Sequence, residues 1–186
     1  MVAPNLVVAI ALFSLAGFLV YLFLSGLFWG AGYGPTPRRQ LEAAAALLQL
    51  SEGDTVYDLG SGFGKALIFF ARRYHANAVG VEIDPLHCLL TKRRVRRHGL
   101  SASVTVLRGN LLDADLGRAS KVFIFLTPLL MRRVQEKLAR EMPDGARVVS
   151  VDHRFPDWKT VESIENVHLY FVGQDMKFIA TPECPR

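Results

Sequence analysis

The sequence predicts an α/β fold, a doubly wound and mostly parallel sheet, preceded by an N-terminal transmembrane helix. Three observations lead there. None of the 22 Lys and Arg or 17 Asp and Glu residues precedes Arg38, so the charge of this 186-residue chain sits in the residues from 38 onward, at the density of an ordinary soluble domain. After residue 40, apolar β-branched runs alternate with segments of helical period, the order that builds parallel sheets. A glycine-rich turn links the first such run to a helical segment, the place where open α/β sheets bind ligands. Residues 1–32 are predicted as an anchor, 33–180 as one folded domain and 181–186 as a tail. With 51% hydrophobic residues and only Cys88 and Cys184, disordered, collagenous and disulfide-scaffold chains are excluded, and no Cys/His spacing suggests a metal.

The leader comes first. Residues 6–29 carry no charge. As a helix they reach roughly 36 Å, enough for a hydrocarbon core of about 30 Å. A cleaved signal peptide needs a basic start and a shorter apolar stretch; nothing before Leu6 is charged. Phe28, Trp29 and Tyr33 form an interfacial aromatic belt, and Arg38 and Arg39 follow it. The positive-inside rule then places a single-pass protein in the membrane with its domain facing the cytoplasm.

Leu41, Ala44, Ala45 and Leu48 recur at i, i+3, i+4 and i+7, a helix packed along one stripe. A strand at 55–59, the glycine turn and a helix at 65–75 come next. A strand at 78–83 leads to a helix that opens at Pro85 and stops before Gly99. Strands are predicted at 103–107 and 122–126, a helix at 129–141, a turn at Pro143-Asp144-Gly145 and a strand at 147–151. Residues 167–172 and 176–180 straddle Gly173-Gln174-Asp175 and are predicted to form a hairpin.

The turn reads Asp58-Leu59-Gly60-Ser61-Gly62-Phe63-Gly64-Lys65. A P-loop would need Gly at 59 and Ser or Thr at 66, where Leu and Ala stand. In a dinucleotide fingerprint the third glycine would come one residue later. The remaining pattern, D-x-G-x-G-x-G, resembles the loop of S-adenosylmethionine sites; an ordinary tight turn is its plain alternative. The second strand ends at Glu82-Ile83-Asp84, with Glu82 about 20 residues past the first glycine, where an acid can bind ribose hydroxyls. That feature suits NAD and S-adenosylmethionine equally. Asn110-Leu111 follows the third strand, where a side-chain amide can meet an adenine edge or simply make a turn.

Together, Asp58, Gly60, Gly62, Gly64, Glu82 and Asn110 at this spacing resemble a class I S-adenosylmethionine-dependent methyltransferase, a Rossmann-like fold. The finer resemblance is to a small family of protein-lysine methyltransferases. It includes an archaeal broad-specificity enzyme and the mitochondrial enzymes acting on the ATP synthase c-subunit and the adenine nucleotide translocase. Tyr33-Gly34-Pro35-Thr36-Pro37, Phe125-Leu126-Thr127-Pro128 and Arg154-Phe155-Pro156-Asp157-Trp158 carry it. The resemblance implies S-adenosyl-L-methionine as cofactor, held by Asp58, the three glycines, Glu82, Ile83, Asn110 and Leu111, with Tyr33 and Thr36 at its methionine end. It implies an acceptor channel lined by Phe125, Thr127, Pro128, Phe155 and Trp158. Two positions depart from the family: Phe63 stands where an acid is common, and Gly34 where a bulkier residue is usual.

Methyl transfer to lysine needs a neutral amine, and an apolar channel supplies it by desolvation. His153 is the one residue near the expected channel suited to act as base, although a lone His is more often structural. The implied partner is a membrane protein substrate, since only Gly30, Ala31 and Gly32 separate the apolar span from Tyr33, a reach of about 10–11 Å. Lys92, Arg93, Arg94, Arg96 and Arg97 form a basic run that suits a solvated helix end, anionic lipid headgroups or an acidic protein substrate; nucleic acid ranks last. The rival expectations are another acceptor on the same fold (a lipid, quinone or small molecule) and a membrane-tethered binding domain without activity.

Overall fold

A computed structural model describes residues 4–29, 34 and 36–173. The chain divides into two compact units, Met1–Tyr33 and Gly34–Arg186.

The first unit is helix α1, Pro4–Trp29. Its side chains are described over residues 6–20, and all but Ala9 are exposed, Phe13 at 82%. An apolar surface of that kind marks contact with a membrane or a partner. The run 6–20 reaches roughly 22 Å as a helix, and among the described residues no helix is long and apolar enough to cross a membrane. The expected transmembrane helix over 6–29 therefore gains no support from the described residues.

The second unit is a seven-stranded sheet of order β3-β2-β1-β4-β5-β7-β6. Strands β1 (Thr55–Leu59), β2 (Asn77–Glu82), β3 (Val104–Arg108), β4 (Lys121–Ile124) and β5 (Arg147–Val151) are parallel. Strand β7 (Val167–Phe171) runs antiparallel to β5, and β6 (Glu162–Ile164) antiparallel to β7. Helices α2 (Arg38–Leu48), α3 (Lys65–Tyr74) and α4 (Pro85–Arg97) cover one face through Leu41, Leu48, Phe70, Ala71, Cys88 and Val95. Helix α5 (Pro128–Glu141) covers the other through Met131, Val134 and Leu138. Right-handed crossovers produce this split, because the path from β1 runs outward to β3 and then returns across β1 to β4. The reversal opens a crevice beyond the carboxyl ends of β1 and β4.

Helix starts follow local chemistry. Asp84 Oδ1 accepts from Leu86 N at 2.8 Å and His87 N at 3.1 Å, and Pro85 takes the first helical position. Pro128 does the same for α5.

One strand was not predicted: β6 pairs with β7 on the side away from β5, joined to it through Glu165 and Asn166, both left-handed at φ 51° and 60°. Every residue of β6 is exposed, so it shows no alternation, and Glu-Asn lacks the glycine that signals such a turn. The expected strand at 176–180 lies outside the described residues, as does the tail.

Candidate active site

The glycine loop hangs from the end of β2. Gly60 N and Ser61 N donate to Val81 O at 2.9 and 3.1 Å, and Gly64 N donates to Ser61 O at 2.8 Å. Two side chains of α4 grip its outer turn: Thr91 Oγ1 donates to Gly62 O at 3.0 Å and Arg94 Nη1 to Phe63 O at 2.7 Å. Gly64, at φ 69°, packs so closely that a Cβ there would overlap the Thr91 methyl. At Gly62, φ 50°, a Cβ would meet nothing within 4 Å. One glycine is thus demanded by packing, and the other leaves space.

Two acids sit at this edge. Glu82 is 7% exposed. Its Oε2 accepts from Gly62 N at 2.7 Å and its Oε1 from Asp84 N at 2.9 Å, so it ties the loop to the strand end. Asp58, 3% exposed, lies on the adjacent strand. Burial, then the charge of Glu82, pushes its carboxyl up to about 8. His87 Nδ1 stands 3.8 Å from Glu82 Oε1, and burial lowers its pKa, which keeps the imidazole neutral. Phe63 packs its ring on His87 at 4.4 Å between centroids.

Replacing Glu82 therefore has two consequences. Glu82→Ala strips acceptors from two backbone amides, each bond to a charged group being worth about 1.5–3 kcal/mol. The expected result is a lower Tm together with cofactor binding weakened roughly 10- to 100-fold. Glu82→Gln keeps one carbonyl acceptor and should fall between. Calorimetry and thermal melts read both; an unchanged Kd in a folded Glu82→Ala protein would place the nucleoside elsewhere.

The other predicted residues take varied places around this edge. Ile83 is half-buried in the turn before α4. Asn110 is exposed and its Oδ1 accepts from Leu112 N at 3.0 Å, capping a single 3-10 turn at Leu111–Asp113. Its carbonyl serves the turn, which leaves its NH2 end for any ligand. Thr36 is buried just before α2, and Tyr33 lies outside the described residues. Phe125 follows β4, half-buried, and a Cβ added at Gly34 would lie 3.8 Å from its ring. Thr127 takes the N-cap position of α5, and Pro128 is exposed.

Phe155 and Trp158 come together, but mostly inside. Phe155 is 3% exposed and packs on Tyr170 at 5.0 Å and on Trp158 at 4.9 Å. Trp158 is the half-buried member. Their loop is stapled to α5: Gln135 Nε2 donates to Asp157 Oδ2 and Asp157 N to Gln135 Oε1, both at 3.0 Å. Phe155 N donates to Tyr170 OH at 3.3 Å. His153 is half-buried, and its backbone makes the contacts described, N to Val151 O at 2.7 Å and O from Ser150 Oγ at 2.6 Å. The supports Thr91, Arg94, Gln135 and Tyr170 went unread in the sequence, because each acts across elements and none stands in a motif.

The parallel register brings the loops after β1, β2, β3, β4 and β5 to one edge. Residues 58–162, just over half the chain, match the ANTKMT methyltransferase domain family. The chain belongs to that family. As an ANTKMT methyltransferase domain it is an S-adenosylmethionine-dependent methyltransferase of class I. It is 29% identical over 151 residues to a protein-lysine N-methyltransferase of Saccharolobus islandicus, covering 76% of this chain and 94% of that one. It is 32% identical over 140 residues to the human lysine N-methyltransferase named for the ATP synthase c-subunit, covering 73% of this chain and 59% of that protein's length. Among solved structures, an RNA methyltransferase from Salinibacter ruber bound to S-adenosyl-L-homocysteine superposes with TM-score 0.72 at 29% identity, covering 76% of this chain and 95% of that one.

The ANTKMT domain edge fits S-adenosylmethionine. The cofactor carries a positive sulfonium and an ammonium, and a cation beside Asp58 would offset the cost that keeps this carboxyl protonated. The space at Gly62 admits the close backbone approach a ligand needs.

Proposed function

We propose that this methyltransferase modifies lysine in a protein, at a membrane, with its catalytic unit facing the cytoplasm. The observation that carries the acceptor class is the parallel register of β1, β4 and β5, whose carboxyl ends lead at one sheet edge into the glycine loop, Phe125 and the aromatic loop of Phe155 and Trp158. The likeness to relatives named for lysine methylation supports it. In this reading Asp58, Gly60, Gly62, Gly64, Glu82, Ile83, Asn110 and Leu111 hold the cofactor, and Tyr33 and Thr36 meet its methionine end. Once bound, S-adenosylmethionine supplies an electrophilic methyl group. The chain's own residues align the acceptor and exclude water. Phe125 and Trp158, with Thr127 and Pro128 at the mouth, give the lysine an apolar passage that favours the neutral amine. Phe155 acts from behind, packing Trp158 in place.

The membrane part rests on the charge-free start of the chain and the exposed apolar side chains of α1. It makes the substrate a membrane protein with a lysine near the bilayer, and it gives the Lys92–Arg97 run anionic headgroups to meet.

Mass spectrometry of membrane proteins from cells with and without the gene tests this directly. A lysine methylated only when the gene is present is expected. Methyl label found in lipid or small molecules alone would sink the acceptor assignment. Trp158→Ala should lower kcat/KM for the protein acceptor about tenfold, some 1.4 kcal/mol, with the Kd for S-adenosylhomocysteine unchanged. A flexible Gly/Ser insertion between Gly32 and Tyr33 should reduce methylation of the membrane substrate but spare a free peptide. The likeness to an RNA methyltransferase favours one second reading, RNA as acceptor, which incubation with RNA and labelled cofactor checks.

A further inference from the structure

Between Asp58 and Asp113 the chain has nine basic residues and only two acidic ones, Glu82 and Asp84, and both acids are buried. Segment 59–112 therefore exposes cations and no carboxylate. The rest of the chain carries 13 basic residues against 15 acidic ones. Solvated surfaces ordinarily intersperse the two signs.

Helices α3 and α4 organise the charge. They lie on one face of the sheet, over β2 and β3. On α3 the exposed residues are Lys65, Arg72 and Arg73; on α4 they include Leu89, Lys92, Arg93, Arg96 and Arg97. The spacings i, i+7, i+8 and i, i+3, i+4, i+7, i+8 put each set on one outward stripe. Arg94 is the exception, turned to Phe63 O. Leu89, 60% exposed, stands among the cations of α4. A basic face with an apolar residue set in it has the chemistry of a helix lying in a headgroup layer. A single-stranded nucleic acid would want aromatic platforms, and Phe69, the aromatic on the α3 stripe, is instead packed against Phe70 and Tyr74.

We infer that the α3–α4 face is a docking surface for an anionic bilayer. The inference rests on the proposed membrane location, and it adds a second contact, independent of α1. Because α4 also holds the glycine loop through Thr91 and Arg94, the helix that supports the cofactor loop is the one seated on the headgroups.

The test uses the full chain with Cys184→Ser and Leu89→Cys, labelled at position 89 with an environment-sensitive fluorophore; Cys88 is buried and stays unlabelled. Vesicles of phosphatidylcholine alone should leave the emission unchanged, and vesicles that also contain phosphatidylserine should shift it to the blue. High salt should reverse the shift. Each cation at such a surface is worth about 1 kcal/mol, or about fivefold. Converting Arg72, Arg73, Arg96 and Arg97 together to Gln should therefore raise the lipid concentration needed by more than about 100-fold. Binding of S-adenosylhomocysteine should persist, which shows that the variant is folded. The same four residues as Glu should abolish the shift. Equal emission with both vesicle types overturns the inference, even if the chain sediments with both, an outcome that would credit α1 alone. A shift with phosphatidylserine when the chain ignores neutral vesicles would keep this surface and discard the anchor. A shift produced by a short RNA and not by phosphatidylserine overturns it in favour of nucleic acid.

Discussion

Gly62→Arg should give a folded protein that no longer binds S-adenosylhomocysteine, whereas Gly64→Ala, two residues on, should lose stability first. At Gly62 a side chain finds open space, and the cost is the left-handed backbone, about 1–2 kcal/mol. Its guanidinium then fills the volume assigned to the cofactor, and affinity should drop by more than about 100-fold, or some 2.7 kcal/mol. At Gly64 the same backbone cost is joined by overlap with the Thr91 methyl, and overpacking of that kind adds about 1–3 kcal/mol. Thr91→Ser removes the methyl but keeps a hydroxyl for Gly62 O, so the double variant should recover part of the loss. Calorimetric titration and thermal melts on the four proteins decide the matter. A folded Gly62→Arg enzyme with undiminished affinity would show that the cofactor does not approach this loop.

Asp58→Asn should abolish tight cofactor binding and at the same time make the free protein more stable at alkaline pH. The folded protein holds the Asp58 proton up to about pH 8, while an unfolded chain releases it near 3.8. Between those values the folded state binds more protons, so this group lowers stability as pH rises and its full penalty is reached above about 8. Asn carries no such penalty. The gain should be absent below pH 4 and reach a few kcal/mol near pH 9. The cationic cofactor favours ionised Asp58, so in the parent protein binding should release a proton and tighten as pH rises from 6 to 8. In Asp58→Asn it should be weak and flat with pH. Titrations in buffers of different ionisation enthalpy measure the proton release; none at pH 7 would mean that Asp58 lies apart from the cofactor's charge.

Most of the elements were legible. Strands β1 and β5 fall where their apolar runs do, and Gly64 and Pro85 mark helix starts, because these signals are local: a side-chain pattern, a fixed φ, a missing Cβ. Strand β6 was illegible, since an exposed edge strand has no buried side to impose alternation. Asp58, Gly62 and Glu82 were singled out by spacing, and the structure places them at one sheet edge. The aromatic loop was read as lining, yet Phe155 is core and Trp158 alone keeps an exposed part, a difference that depends on Tyr170 from β7, the strand paired beside β5 but distant from the loop in sequence.

By itself the sequence determined the order of strands and helices apart from β6, the charge-free leader and the loop that names the cofactor. Each is written in neighbouring residues, where covalent geometry and hydrophobic period act. The tertiary structure decided the features that depend on long-range contacts. Glu82 is a brace for the loop as well as an acid at a strand end, because β2 pairs beside β1. Arg94 leaves a basic run to hold Phe63 O. Asp58 is protonated because burial and a second carboxylate, 24 residues away in sequence, meet at one edge. Electrostatic cost depends on distance through space and on exclusion of water, and neither exists until the sheet has closed.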